Sequence, residues 1–255
     1  MRIFHSLYSA ASEIQRDLFE FGVEYQSNTW QNKIVKEDSG FRVKELISYV
    51  YLLHLNFIWI PPSEIPSSSL HLNEVFDLLE IDKIKREKIK NFVSKELVER
   101  IASAKVVNPE AWKEYPELWE KFRLPDGSFD YTYPERLCLE EKNQLDIIKM
   151  ELKTNPNSRQ CLATIWRISD LNYIGGSKRV PCSIYYQFMR RRGSLYLIYN
   201  MRSCDFYNHW IIDTLLGLCM ADYMAVSLGL SDFYFIHQIN SFHIFEKDYL
   251  KRGIF

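Results

Sequence analysis

The chain has 255 residues and a formal net charge of −1, too near neutral for the basic footprint of a nucleic-acid binder. Hydrophobic residues make up 47% and aromatic residues 15%, enough for a sizeable, ring-rich core, and the length suits one large domain or two small ones. No apolar stretch reaches the ~18 residues of a membrane span, and the start, MRIFHSLYSAASEIQRDLF, carries charge too early for a secretory signal. Cys138, Cys161, Cys182, Cys204 and Cys219 are odd in number, with no C-x-x-C pair. That pattern predicts reduced thiols in a cytoplasmic protein and no metal site.

Leu7, Ile14, Leu18 and Phe21 recur at near-helical spacing and Gly22 stops the pattern, predicting a surface-docked helix over 6–21. Residues 22–42 are polar and irregular, ending in the turn signal Asp38-Ser39-Gly40. VKELISYVYLLHLNFI (43–58) is apolar enough to predict a buried helix, with Glu45 in its first turn as a dipole-friendly acid or a functional one. Pro61-Pro62 and Ser67-Ser68-Ser69 bracket a loop, and 70–80 and 82–104 read as helices. The second carries so many charges of both signs that it reads as a solvated face. Asn108-Pro109 predicts a helix entry with Asn as the cap, and Pro125-Asp126-Gly127 a turn. Leu145, Ile148 and Leu152 predict a helix over 136–153.

From there the period changes. CLATIWRI (161–168) has strand composition, and CSIYYQFMR and SLYLIYNM predict a hairpin about Arg-Arg-Gly. Residues 213–228 predict a buried helix and FYFIHQI (233–239) a further strand. Helices early and strands late predict an α+β fold with one sheet.

Cys182 follows Pro181 at a strand start. It reads as a core thiol or as a nucleophile whose pKa nearby cations must lower, with Arg179, Arg202 and Arg159 the candidates. Arg159 and the pair Arg202-Ser203 suit a phosphate, because guanidinium forks match its oxygens and a hydroxyl adds one more bond. There is no Gly-rich P-loop, which points to a single phosphate held by side chains. Asp213 opens an apolar helix, where an Asp is ordinarily a cap, and His243 in SFHIF reads equally as a satisfied core histidine.

In order and spacing these residues resemble the thymidylate synthase family and, within it, the phage-type deoxycytidylate hydroxymethylases. VPCSIYYQF is similar to the family's nucleophile strand and NMRSCD to its phosphate and base motif. NPNSRQCLATIWRI is similar to the segment whose arginine, here Arg159, reaches the other subunit's nucleotide. The resemblance implies a single domain over 1–255 and a homodimer formed through a large mixed sheet flanked by helices. It implies a pyrimidine nucleoside monophosphate as substrate and 5,10-methylenetetrahydrofolate as co-substrate, with neither nucleic acid nor membrane as partner. Cys182 becomes the nucleophile at C6. Arg159, Arg202, Ser203, Asp213 and His243 become substrate-binding residues, and Asp205 a cofactor contact. KELISYVYLL is similar to the helix of the family's catalytic glutamate, which implies Glu45. NPEAW implies Trp112 near the folate, and YTYPERL implies Tyr133 as the catalytic tyrosine, with Tyr131 in reserve.

Asp213 stands where the methylating synthases carry asparagine, and Ser241 where they carry aspartate. A carboxyl group suits cytosine, whose N4 donates and N3 accepts, as an amide suits uracil. The implied activity is hydroxymethylation of a cytidine monophosphate, most simply dCMP. Methylation of dUMP or dCMP is the first alternative, and a catalytically silent nucleotide-binding relative the second. Phe245 replaces a sugar-contacting tyrosine, so the sugar stays open, and Lys33 is the only substitute for an N-terminal phosphate arginine. The family's tail caps the folate; only ten residues follow Phe245, an arrangement that favours water over hydride as the final acceptor.

Overall fold

The computed structural model describes residues 1–30, 33–34, 38–55, 70–175 and 178–251, so the predicted loop at Pro61-Pro62 and Ser67-Ser69 lies outside the described residues. In chain order the elements are β1 (Arg2–Phe4), α1 (Leu7–Phe21), β2 (Val23–Gln26), β3 (Thr29–Trp30), β4 (Lys33–Ile34) and β5 (Arg42–Leu53). Then come α2 (Leu72–Leu78), α3 (Lys83–Ile101), α4 (Pro116–Trp119), α5 (Tyr133–Leu137), β6 (Cys138–Leu139), β7 (Lys142–Asn143) and α6 (Gln144–Thr154). The chain continues with β8 (Leu162–Thr164), β9 (Ser183–Arg191), β10 (Ser194–Asp205), α7 (Trp210–Ser227), β11 (Phe233–Phe245) and α8 (Glu246–Lys251).

Among the described residues, seven strands form one mixed sheet in the order β1-β5-β11-β10-β9-β8, with β2 also paired to β5. The expected α+β class and the hairpin of β9 and β10 are present. β10 and β11 run parallel, and α7 is the crossover between them. On β10, Leu195, Leu197 and Tyr199 are buried; on β11, Phe233, Phe235, His237 and Ile239 are. These alternate with Tyr196, Ile198, Tyr234 and Ile236, which are only partly covered. Helices α1 and α7 pack on the sheet, and α3 packs on α7. The sheet therefore has one face under helices and one open, ring-bearing face.

Of the apolar segment 43–58, residues 43–53 form a strand and not the expected helix, and residues 56–58 lie outside the described residues. Val43, Tyr49, Val50 and Tyr51 are β-branched or aromatic and pair with β11, so sheet contacts decide a run whose period alone is ambiguous. Glu45 accordingly lies on a strand. Asn108 does not cap a helix; it sits at φ 64°, and the turn that follows is a 3-10 turn over Ala111–Glu114. That turn is held from outside, by the Glu99 carboxylate accepting the backbone N–H groups of Glu110 and Ala111. The helix expected over 136–153 is divided, because the β6–β7 ribbon intervenes and Asn143 caps α6 by accepting from the Leu145 N–H at 2.8 Å.

Helix α7 has 18 residues and is long and apolar enough, by length and composition, to cross a membrane, yet 67% of it is buried inside the fold. The expectation that no stretch reaches membrane length is corrected there. The apolar residues are spent on the core instead. Gly217 permits the approach: a Cβ at this position would come within 2.4 Å of the Phe235 ring of β11.

Candidate active site

Antiparallel pairing sets the first residues of β9 beside the last residues of β10. The Arg202 N–H donates to the Cys182 carbonyl at 2.7 Å, and the Arg202 guanidinium turns back so that Nη2 lies 3.8 Å from Cys182 Sγ and Nε 3.4 Å from the Pro181 carbonyl. Parallel pairing of β10 with β11 sets Ser203 beside Ser241 and Asp205 beside His243. The site thus stands at one end of the sheet, where Cys182, Arg202, Ser203 and His243 lie at three strand termini, the start of β9 and the ends of β10 and β11.

Asp213 lies in the first turn of α7, its N–H bonded to the His209 carbonyl at 3.0 Å, so it is not the cap. Its Oδ2 accepts from the Cys204 thiol at 3.6 Å. Burial pushes the Asp213 pKa up to about 6, against the opposing pull of His209 and Arg100. Cys182 behaves alike. Burial raises its pKa and Asp213 adds to the rise, while Arg202 and Arg179 work against both. The cations are present as expected, but they do not outweigh desolvation, and the resting group is the thiol.

Two layers of rings close the site. Arg179 lies with its guanidinium 4.5 Å from the ring centres of Trp119 and Phe122 and 5.0 Å from that of Tyr131. Tyr133 packs under the Arg100 guanidinium at 4.4 Å, and burial holds its hydroxyl far above the ordinary tyrosine range. Arg100 is 2% exposed; Nε donates to Glu96 at 2.7 Å and Nη1 to the Tyr186 hydroxyl at 2.7 Å. Glu96 and Arg100 both bear on the charge of Asp213.

The sequence model of the thymidylate synthase family matches residues 73–251. The chain belongs to the thymidylate synthase family. Among curated proteins, a thymidylate synthase of Fusobacterium nucleatum is 28% identical over 138 residues, covering 53% of this chain and 49% of that protein. A putative thymidylate synthase of Methanocaldococcus jannaschii is 29% identical over 134 residues, covering 49% of the chain and 60% of that protein. The chain thus spans about half the length of the curated relatives it matches. Among solved structures, the thermostable thymidylate synthase A of Bacillus subtilis superposes with a TM-score of 0.68 at 18% identity, over 97% of this chain and 83% of that one. The thymidylate synthase of T4 phage gives 0.64 at 16% identity, over 94% and 77%.

Within this thymidylate synthase fold, the expected residues separate into two sets. Cys182, Arg202, Ser203, Asp213, Tyr131, Tyr133 and His243 stand at the same end of the sheet. His243 is half-buried, and burial lowers its pKa and keeps the ring neutral. Glu45 is elsewhere. Its carboxylate accepts from the Ser241 hydroxyl and from Tyr25 at 3.2 Å, beside β2, and it precedes the family match altogether. The helical carboxylate that meets the network of Asp213 and Tyr133 is Glu96, in SKELVERI of α3. Trp112 packs on Phe129 and under Arg123, at 5.4 and 5.2 Å, whereas the tryptophan against the Cys182 cluster is Trp119. The available signal was spacing: Leu-Trp-Glu-Lys-Phe precedes Tyr133 closely, and NPEAW does not.

Asp205 is 8% exposed and already engaged, accepting from the Tyr207 N–H at 3.1 Å, the Asn208 N–H at 3.2 Å and Asn208 Nδ2 at 2.8 Å. It builds the turn into α7. Arg159 is exposed, and its carbonyl accepts from Gln187 at 3.2 Å, which sets it at the rim of the open sheet face. The Lys33 side chain lies outside the described residues. Among the described residues, no group of three or more His, Cys, Asp or Glu side chains is arranged to hold a metal ion.

Proposed function

We propose that this protein transfers a one-carbon unit to C5 of a cytosine nucleoside monophosphate, most simply dCMP, through a covalent bond from Cys182 to C6, and that water completes the reaction. The observation that carries the reading is Asp213, a carboxyl group in the first turn of α7 whose pKa burial lifts to about 6. A carboxylate facing cytosine N3 meets a lone pair. The repulsion draws a proton onto Asp213, which then donates to N3 while its other oxygen accepts from N4. Each unsatisfied buried group would cost about 1–3 kcal/mol, enough to separate cytosine from uracil.

The chain's own residues supply the steps. Arg202 and Ser203 hold the phosphate, and with it bound the Arg202 charge near Sγ orients the thiolate below C6. The Cys182 thiol gives up its proton to solvent, Sγ donates the freed electron pair to C6, and the pair of the C5–C6 double bond moves so that C5 becomes nucleophilic. Tyr133, protonated and buried, relays the C5 proton through its hydroxyl, and Glu96, paired with Arg100, orders the polar groups behind the base. Methylenetetrahydrofolate, as co-substrate, supplies carbon at the oxidation level of formaldehyde. The flat faces of Trp119, Phe122 and Tyr131 fit such a planar heteroaromatic; Asp205 fits it less well, since its oxygens are committed to the α7 turn.

The open sheet face with Tyr196, Ile198, Tyr234 and Ile236 fits a second copy of the chain, and Arg159 at its rim fits a phosphate held by that copy. The five free thiols fit a reducing cytoplasm. Product mass decides the reading. After incubation with dCMP and methylenetetrahydrofolate, hydroxymethyl addition without dihydrofolate supports it. Methylation with dihydrofolate appearing supports the second reading, thymidylate synthesis from dUMP, which the names of the matched relatives favour. No product from either nucleotide supports a silent binding protein.

A further inference from the structure

The Arg179 guanidinium is stacked among Trp119, Phe122 and Tyr131, three residues before the nucleophile. Its Nη2 makes one long contact, 3.5 Å to the Tyr131 hydroxyl. Its Nη1 is buried and meets no hydrogen-bond acceptor among the described residues. A buried guanidinium N–H left without an acceptor is costly, and rings stacked on the cation face offer none in its plane. The group that satisfies Nη1 must be small and must carry an acceptor. Arg179 precedes Cys182 by three residues, and its partner Tyr131 packs against Tyr133 at 5.9 Å, which sets the cage beside the candidate site.

We propose that Arg179 is a positioning residue whose Nη1 holds the water that attacks the exocyclic methylene at C5. The proposal rests on the one-carbon transfer read above and specifies its last step. Once the carrier has left, C5 bears a methylene group in conjugation with C4. The water oxygen donates a lone pair to the methylene carbon, and the π pair moves into the ring. The ring pair then re-forms the C5–C6 double bond and expels Cys182 Sγ with the C6–S pair. The surplus water proton returns to the thiolate or to solvent. A guanidinium cannot take that proton, so Arg179 fixes the oxygen's position and leaves the acid–base work to other groups.

The reverse step needs no folate, which allows a clean test. 5-Hydroxymethyl-dCMP is incubated with the protein in ¹⁸O water, and label in the hydroxymethyl group is followed by mass. In parallel, exchange of the C5 hydrogen of dCMP in D₂O reports the Cys182 adduct alone. Wild-type protein should do both. Arg179→Leu should lose at least tenfold more in ¹⁸O incorporation than it loses in C5 exchange, and Arg179→Lys should recover part of the difference, since an ammonium also donates to water. An unfolding midpoint close to that of the wild type certifies that both variants fold. Equal ¹⁸O incorporation by wild type and Arg179→Leu would overturn the role of Arg179. Wild-type C5 exchange without ¹⁸O incorporation would overturn it as well, while leaving Cys182 chemistry standing. Absence of both exchanges in the wild type would remove the adduct and the proposal together.

Discussion

At the far end of the sheet, Ser194 donates to Asp232 at 2.6 Å, His54 meets the same carboxylate at 2.9 Å, and the His54 ring stacks on Tyr234 at 4.2 Å. Burial works against the Asp232 charge, but the Ser194 and His54 contacts outweigh it and its pKa falls. At the near end, Asp213 has a thiol as partner and a pKa raised to about 6, and Cys182 is raised too. The same strands carry both clusters. One end spends its polar groups on one another and gains order; the other leaves them short of partners, ready for a ligand that supplies the missing contacts.

The buried pair behind the site should give the largest effect on removal. Glu96→Ala leaves Arg100 charged, buried and half-partnered, and should cost about 3–5 kcal/mol in urea unfolding. Glu96→Ala combined with Arg100→Met should recover most of that loss. If the single substitution costs under 1 kcal/mol, roughly a surface pair's worth, the pair is not the desolvated element described here.

Asp222 breaks the comparison and so sharpens it. It is 3% exposed, on the distal half of α7, its Oδ2 finds no partner among the described residues, and burial raises its pKa to about 7. A pKa raised on folding leaves stability intact below about pH 4 and erodes it as pH rises through 7. Asp222→Asn should therefore match the wild type near pH 4 and exceed it by on the order of 2–4 kcal/mol above pH 8. Parallel stability curves across that range would mean the carboxyl is paired. The smallest effect belongs to the far end: Ser194→Ala should cost about 0.5–1.5 kcal/mol of stability and leave C5 exchange unchanged. A large loss of exchange there would erase the distinction between the two ends.

The stretch from Arg159 to His243 was legible because strand pairing and chemistry fall on the same residues. Cys182, Arg202 and His243 are each placed by β-ladders that the alternation of β9, β10 and β11 announces. The helical glutamate was not legible. Glu96 sits in a run of charges that reads as a solvated face, and its i,i+4 pairing with Arg100 is what lets that face be buried. Residues 43–58 failed for a different reason: a dense apolar run fits a buried strand and a buried helix alike, and the pairing with β11 that decides between them is distant in sequence. The cage around Arg179 joins α4, the loop before α5 and the approach to β9, so no local pattern could show it.

The most direct measurement is tritium release from C5-labelled dCMP and dUMP, with methylenetetrahydrofolate, by the wild type and by Asp213→Asn. The wild type should prefer dCMP by at least tenfold, and the variant should lose that preference or reverse it toward dUMP. A wild type that releases tritium faster from dUMP, or a variant with unaltered preference, would contradict base reading by the Asp213 carboxyl.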